Sequence, residues 1–567
     1  MNHVFSHLKK NWKSGITVAL ISVPLSIALS VASGAGPIPG VITGIWATLI
    51  AGFFGGSNYN VVGAAGALTT VLFAATLAAP LGLGALILPV IAIVCGILIF
   101  IVWAIGADRF LYYIPSSVMH GFAAGVALLI AASQLFDATG LSALKRTGSF
   151  LGDIGLYMKH AGETHVTAAF FFFAFLAFIL LWKRWMPRLP AVIPAAILGI
   201  LSGWIGKTYF PAADIFTLGD KFGSFSASLI AQVPWEKFPQ LFSTRETFMF
   251  LLGTGGTVAL IAVLETLITA KIGDKITKTQ SSSRRELFGL ALANIGSGVM
   301  GGLPATGVFI RAGANIKAGA THRTSSIIAA AVTGLIALIA LPYFVFIPMA
   351  VIAAILVNTA LGLIEVSVFI EFFKREKQGF LIAVLVLLIT ILEDAGIAVL
   401  IGAVLSLLFF ADRVSHGYFD VIFNFCDGTK DENRRAKILK IPEGKEFAFV
   451  TYSIAGFLGY IDSGQHAANL RHMARTKSIP IVMLRLRNLF GIDYEGENML
   501  VEAIENLRGH GKKVFLTSGN TKLLERLKKF PTIQTLYDEQ CVFTKSEEAI
   551  RVFMPSWKRF QYGGDVS

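Results

Sequence analysis

Long apolar runs separated by short polar connections dominate the first four hundred positions of the chain. An α-helix rising ~1.5 Å per residue needs about 20 apolar residues to cross a hydrocarbon layer ~30 Å thick. Runs of this kind are predicted as spans at 14–33, 37–54, 84–105, 117–136, 166–184, 190–207, 247–271, 285–300, 324–342, 346–363, 379–393 and 395–411. Two further stretches, 62–79 and 304–318, complete fourteen but begin irregularly. The third span follows Gly55-Gly56-Ser57-Asn58 and enters through Gly63-Ala64-Ala65-Gly66; the tenth follows Gly301-Gly302-Leu303-Pro304 and enters through Ala305-Thr306-Gly307. Residues 1–13 set Phe5, Leu8 and Trp12 against Lys9, Lys10 and Lys13, the pattern of a segment lying at a membrane surface. The expected organisation is therefore an interfacial segment at 1–13 and a transport domain at 14–411. A polar linker follows at 412–437, then a soluble α/β domain at 438–556 and a tail at 557–567. In the α/β domain, 447–450, 481–484 and 514–516 read as strands, and 497–508 reads as an amphipathic helix.

Spans three and ten occupy matching places in two sets of seven. Short Gly/Pro-interrupted spans at corresponding positions predict an inverted repeat, since seven is odd, with a binding site near the midplane. Non-helical backbone is tolerated at membrane depth only where protein or a cavity satisfies it. The helix that follows each break offers unpaired N–H groups and the positive end of its dipole. The N–H groups of Ala64–Leu68 (Ala65 and Gly66 central) and of Gly307, Val308 and Phe309 are thus candidate anion ligands. Thr69 and Thr306 are candidate hydroxyl contacts, unless they back-bond within their helices. Arg311, read as about two turns past the break, is a candidate anion attractor; a structural ion pair, with Glu265 as one partner, or a kinked helix with a snorkelling Arg are the alternatives.

Composition strengthens the class. Of 567 residues 54% are hydrophobic and 15% charged, against roughly a quarter charged in soluble chains. The net charge of +13 lies in short clusters between spans, such as Lys271/Lys275/Lys278 and Lys374/Arg375/Lys377. That distribution indicates cytoplasmic termini in a cell membrane, not a nucleic-acid partner. The three cysteines show no disulfide or zinc spacing, and no nucleotide loop or catalytic triad stands out, so an enzyme and a resident cofactor are not expected. Glu265 sits mid-span, where a carboxylate must be paired, protonated or holding a cation. Thr269, four residues on, shares its face, so the two could form a cation or proton site, or a structural anchor between helices.

The pattern GG-x-P-x-x-G-x-x-x-R-x-x-x-N-x-x-A-G at 301–319 resembles the tenth span of the sulfate permease family. Pro24 with the following ALSVASGAG, Pro115-x-x-Val118-x-x-Gly121-Phe122, Leu264-Glu265-Thr266-Leu267 and Arg285-Glu286-Leu287 agree with it, and the C-terminal domain looks like a STAS domain. The resemblance implies a seven-plus-seven inverted repeat with core and gate domains, alternating access, and usually a homodimer in the bilayer. Several matches are closest to bicarbonate transporters of that family. By that resemblance Glu265 and Thr269 match a sodium site, and Thr69, Val308 and Phe309 match the anion site. The chain departs in carrying Glu for Asp at 265 and bulky apolar residues at 308 and 309. The STAS-like part has Asp493-Tyr494-Glu495 where phosphoswitch relatives carry Ser or Thr beside the Asp, so no serine switch is expected. The expected function is cation-coupled transport of a small anion, with bicarbonate or sulfate leading, a dicarboxylate next, and sodium or a proton as the coupling ion. An exchanger or channel-like uniporter on the same scaffold is the alternative, and a membrane-anchored sensor working through its STAS domain is the reading from another class.

Overall fold

The structure is a computed structural model that describes residues 2–106, 114–144, 146–147, 149–186, 189–225, 228–393, 395–415, 419–436 and 439–553. Residues 107–113, between the predicted spans 84–105 and 117–136, and the tail 557–567 lie outside the described residues. Two compact units divide the chain, the first ending at Ser406 and the second beginning at Leu407.

The first unit is helical. Its main elements are α1 (Asn2–Ala32), α2 (Pro37–Phe54), strand β1 (Val62–Gly63), α3 (Gly66–Leu77), α4 (Leu88–Ala104), α5 (Ser116–Ser133), α6 (Phe150–His160), α7 (Val166–Trp185) and α8 (Val192–Tyr209). They continue with α9 (Arg245–Thr277), α10 (Ser283–Val299), strand β2 (Thr306–Gly307), α11 (Phe309–Lys317), α12 (Thr324–Ala340), α13 (Met349–Leu361), α14 (Val366–Arg375), α15 (Lys377–Leu392) and α16 (Ala395–Ser415), whose residues from Leu407 on belong to the second unit. Every stretch predicted as a span contains a helix. Among the described residues nine helical stretches are long and apolar enough to cross a membrane. The N-terminal segment is not a separate element, because α1 runs from Asn2 through the first predicted span without a break. Its Asn11 side chain is buried and holds the N–H groups of Thr321 and His322, which ties that first part of the helix to protein.

α3 has twelve residues and α11 nine, so they rise ~18 and ~14 Å, about half of a hydrocarbon layer. Each is preceded by a two-residue strand, and β1 pairs antiparallel with β2, Val62 opposite Gly307 and Gly63 opposite Thr306. The irregular backbone around them is satisfied by side chains from neighbouring helices, as burial demands. Thr43 accepts from the Leu303 N–H and Ser297 donates to its carbonyl. Asn294 grips both polar groups of Ala305, at 2.8 Å to the nitrogen and 3.0 Å to the oxygen. Thr48 donates to the Val62 carbonyl, Ser326 to that of Asn60, and Asn315 to that of Tyr59. Gly301 takes φ +84°, which an L side chain rarely adopts, so the break there needs glycine.

The second unit is an α/β domain with sheet order β4-β3-β5-β6-β7-β8. Its strands are β3 (Phe419–Phe425), β4 (Lys430–Ala436), β5 (Phe447–Leu458), β6 (Ile481–Ile492), β7 (Lys513–Thr517) and β8 (Val542–Phe543). Helices Tyr460–Arg475, Tyr494–Gly509, Thr521–Leu527, Pro531–Asp538 and Ser546–Phe553 connect or close it. The predicted linker 412–437 is corrected here: most of it is a hairpin that extends the sheet. Phe419, Val421 and Phe423 recur with period two and are buried, and Gly428 at φ +82° turns the chain between the strands. The charged run Lys430–Arg435 hid the second strand because it is an edge, where charge is expected.

Candidate functional site

The β1–β2 pair sets the start of α3 beside the start of α11. The N-cap positions are Ala65 and Val308, and neither helix receives a side-chain cap. The first N–H groups of a helix have no intrahelical partner. Two positive helix ends, uncapped and adjacent, therefore face the space between them, and this is the arrangement that favours an anion.

Several predicted ligands change on inspection of their bonds. The Gly307 N–H is donated to Thr266 Oγ1 at 2.8 Å, and the Val308 N–H to the Val61 carbonyl at 3.0 Å. Neither is free for an anion, because both belong to the strand pairing and its support. The donors on this side are instead the first-turn groups from Phe309 onward. On α3, Ala65 is the cap residue and Gly66 the first helical one, both buried. The Thr69 hydroxyl donates to the Gly66 carbonyl at 2.8 Å, the back-bonded alternative. Val308 is buried and Phe309 is 40% exposed, so only the second of these apolar side chains reaches open space.

Arg311 lies in the first turn of α11 rather than two turns from its start, since 301–308 is extended and turned backbone instead of helix. It is among the largest fully buried side chains. Nη2 donates to Ser26 Oγ at 2.9 Å and to the Ala64 carbonyl at 3.2 Å, while Nε and Nη1 have no partner among the described residues. A Cβ on Gly63 would lie 1.9 Å from Nη1, so the guanidinium is seated directly against the glycine of β1. A buried charge with unspent donors is costly unless a counter-charge arrives. The alternative, a direct ion pair with Glu265, does not form among the described residues.

Glu265 and Thr269 both turn to β2. Glu265 Oε2 accepts from the Thr306 hydroxyl at 2.6 Å, and the Thr269 hydroxyl donates to the Gly307 carbonyl at 3.0 Å. Together with Thr266, α9 thus clasps the strand that starts α11. Glu265 Oε1 makes no hydrogen bond among the described residues. Among them no cluster of three His, Cys, Asp or Glu groups forms a metal site.

One site residue escaped sequence reasoning as a functional group. Glu286, buried near the start of α10, accepts from the N–H groups of Gly56 and Ser57 at 2.7 Å each and from the Asn60 amide at 2.7 Å. Asn60 also donates to the Thr266 carbonyl at 3.3 Å and packs behind Gly307. This carboxylate therefore positions the loop into β1 and, through Asn60, the strap behind β2. The available signal was a loop with bare N–H groups at 55–58; its acceptor lies about 230 positions away, as the residue numbers show.

Comparison with known proteins agrees with this architecture. Residues 8–386 match the sulfate permease family. YvdB of Bacillus subtilis (strain 168) is 25% identical over 523 residues, 92% of this chain and 93% of that protein. The bicarbonate transporter BicA of Picosynechococcus is 23% identical over 573 residues, 96% and 95% of the two chains. The structure of murine Slc26a9, an anion transporter, superposes with a TM-score of 0.78 at 16% identity, covering 96% of this chain and 91% of that one. The helical architecture with paired half-helix starts and the match over most of the chain place this protein in the sulfate permease family of membrane anion transporters.

Proposed function

We propose that the chain is a secondary active transporter of a small oxyanion, held between the first turns of α3 and α11 beside Arg311. The observation that carries this reading is the pair of uncapped helix starts joined by β1–β2, with a buried arginine whose Nε and Nη1 are unspent. Bicarbonate and sulfate lead as substrates, since BicA is named a bicarbonate transporter and the family a sulfate permease family; a dicarboxylate is the third class.

The chain would span the membrane fourteen times as two inverted sevens, with both termini cytoplasmic, the C-terminal unit a STAS domain and the protein a homodimer. The equivalence of α3 and α11 and the antiparallel strand pair support the inverted repeat. Uphill transport needs a second ion whose affinity differs between the two access states. Glu265, with Thr269 and Thr306 near it, is our candidate for holding sodium, with a proton on the carboxylate as the other form. One observation favours the exchanger or uniporter reading: Glu265 and Thr269 already anchor β2.

The test is uptake of labelled bicarbonate, sulfate and fumarate into proteoliposomes, driven first by a sodium gradient at fixed pH and then by a pH gradient without sodium. Symport predicts accumulation with one gradient and its loss in Glu265→Gln. Accumulation that persists in the variant, or uptake indifferent to both gradients, moves the exchanger or uniporter ahead.

A further inference from the structure

A cavity is lined by the C-terminal ends of α1, α5 and α15, by α3 from Thr69 to Ala74, and by the first turn of α6 with the segment before it. It measures about 130 Å³, where ~10–15 Å³ by the same measure admits one water. It reaches down α3 from Phe73 to Thr69, one turn into the helix whose start forms the anion site. Arg146 is the only cation among its described lining residues. The guanidinium lies 3.6 Å from the centre of the Phe73 ring, which fixes the plane of the fork by cation–π contact.

Asp137 and Asp153 act on the Arg146 charge through space, but their direct bonds go to other groups. Asp137 pairs with Lys221 at 3.1 Å. Asp153 accepts through Oδ1 from both the N–H and the hydroxyl of Thr147, at 2.7 and 2.8 Å. No ion pair or hydrogen bond of Arg146 forms among the described residues, and its donors are spread in a planar fork suited to an oxyanion. The Thr70 hydroxyl, buried on the same wall, also lacks a partner among the described residues. Glu393 is the exposed carboxylate at the rim.

We propose that this cavity is an outer loading site, where Arg146 on its Phe73 platform takes a small oxyanion before it passes Thr69 to the paired helix starts. The inference rests on the transport reading, in which a cytoplasmic N-terminus and the five spans up to 117–136 put residues 137–165 outside. A fixed cation in a walled cavity draws anions to it, and Asp153 and Glu393, which line the same cavity, oppose it. Charge removed at 146 and charge removed at 393 should therefore act in opposite directions on loading from the outer face alone.

Uptake of labelled sulfate and of labelled bicarbonate is measured in right-side-out and in inside-out vesicles, for wild type, R146Q, R146K, E393Q and R311Q. R146Q should raise the half-saturating concentration at the outer face about fivefold or more, with the maximal rate and the inner-face value within about twofold of wild type. R146K should recover part of the loss, and E393Q should lower the outer value. These differences should shrink in high salt. An R146Q variant unchanged at the outer face, or changed equally at both faces, overturns the loading site. R311Q separates the two claims: it should be silent at both faces, and wild-type uptake by it would sink the central site, while the outer site stands or falls on the asymmetry of R146Q. A wild type without saturable uptake of either anion overturns both.

Discussion

At the scale of single residues, the site depends on contacts that fix one arginine and two loops. Gly63 is the plainest case, because a methyl group there would lie 1.9 Å from Arg311 Nη1 and drive the guanidinium from its seat. Gly63→Ala should reduce saturable anion uptake by about tenfold or more, a loss of ~1.4 kcal/mol or more in site stabilisation; uptake at the wild-type level would show that the seat does not matter. Glu286→Ala leaves a buried N–H group, a half-buried one and a buried amide without their acceptor, which should cost ~3–5 kcal/mol. The readout is a clear fall in the melting temperature of the detergent-purified protein, with Glu286→Gln intermediate; an unchanged temperature would contradict the role. Arg311, Glu265 and Thr269 were legible because charge or hydroxyl groups in apolar runs demand an explanation. Their partners were not. That Thr269 faces Gly307, and that Glu286 holds Gly56, are consequences of strand pairing and helix packing across long separations.

Elements carry the next level. The irregular starts of 62–79 and 304–318 were readable from their clustered glycines and proline, which weaken a helix where they occur together and leave backbone groups for protein to satisfy. The two-residue strands were not, because so short a ladder has no period to read, and their formation moved the free N–H groups from Gly307 and Val308 onward to Phe309. In the second unit the alternation at 419–425 was present in the sequence but was masked by the polar composition around it. There β5 meets the helix Tyr460–Arg475 through a buried contact, the Tyr452 hydroxyl 2.8 Å from His466 Nδ1, with the Asn469 amide on the same hydroxyl. Burial pushes His466 down from 6.5 to about 4. The unfolded chain thus takes up a proton before the folded one, so this contribution is complete above pH 6.5 and is lost as pH falls toward 4. The loss is of the order of 3 kcal/mol at the lower limit. Hydrogen exchange in β5 and in that helix should quicken between pH 6.5 and 5 relative to the intrinsic rate, and His466→Phe should flatten the trend. A trend unchanged by the substitution would assign it to other groups.

For the molecule as a whole, the apolar runs, the basic connections and the change in composition near 412 foretold a polytopic membrane protein with an appended α/β unit, and the two broken spans with the family resemblance foretold a transporter. Membership of the sulfate permease family agrees with that expectation. The charge distribution further predicts that a tag after Ser567 is reached only from the cytoplasmic side; labelling from outside intact cells would break the even count of spans. The central claim is narrower: the paired starts of α3 and α11, charged by Arg311, hold the transported anion. It is tested most directly by the initial rate of labelled sulfate and bicarbonate uptake into proteoliposomes bearing wild type or Arg311→Gln, each verified as monodisperse and equally reconstituted. The account predicts saturable uptake of at least one anion by wild type and a fall of about tenfold or more in the variant. Equal rate and equal half-saturation in the two proteins would contradict it.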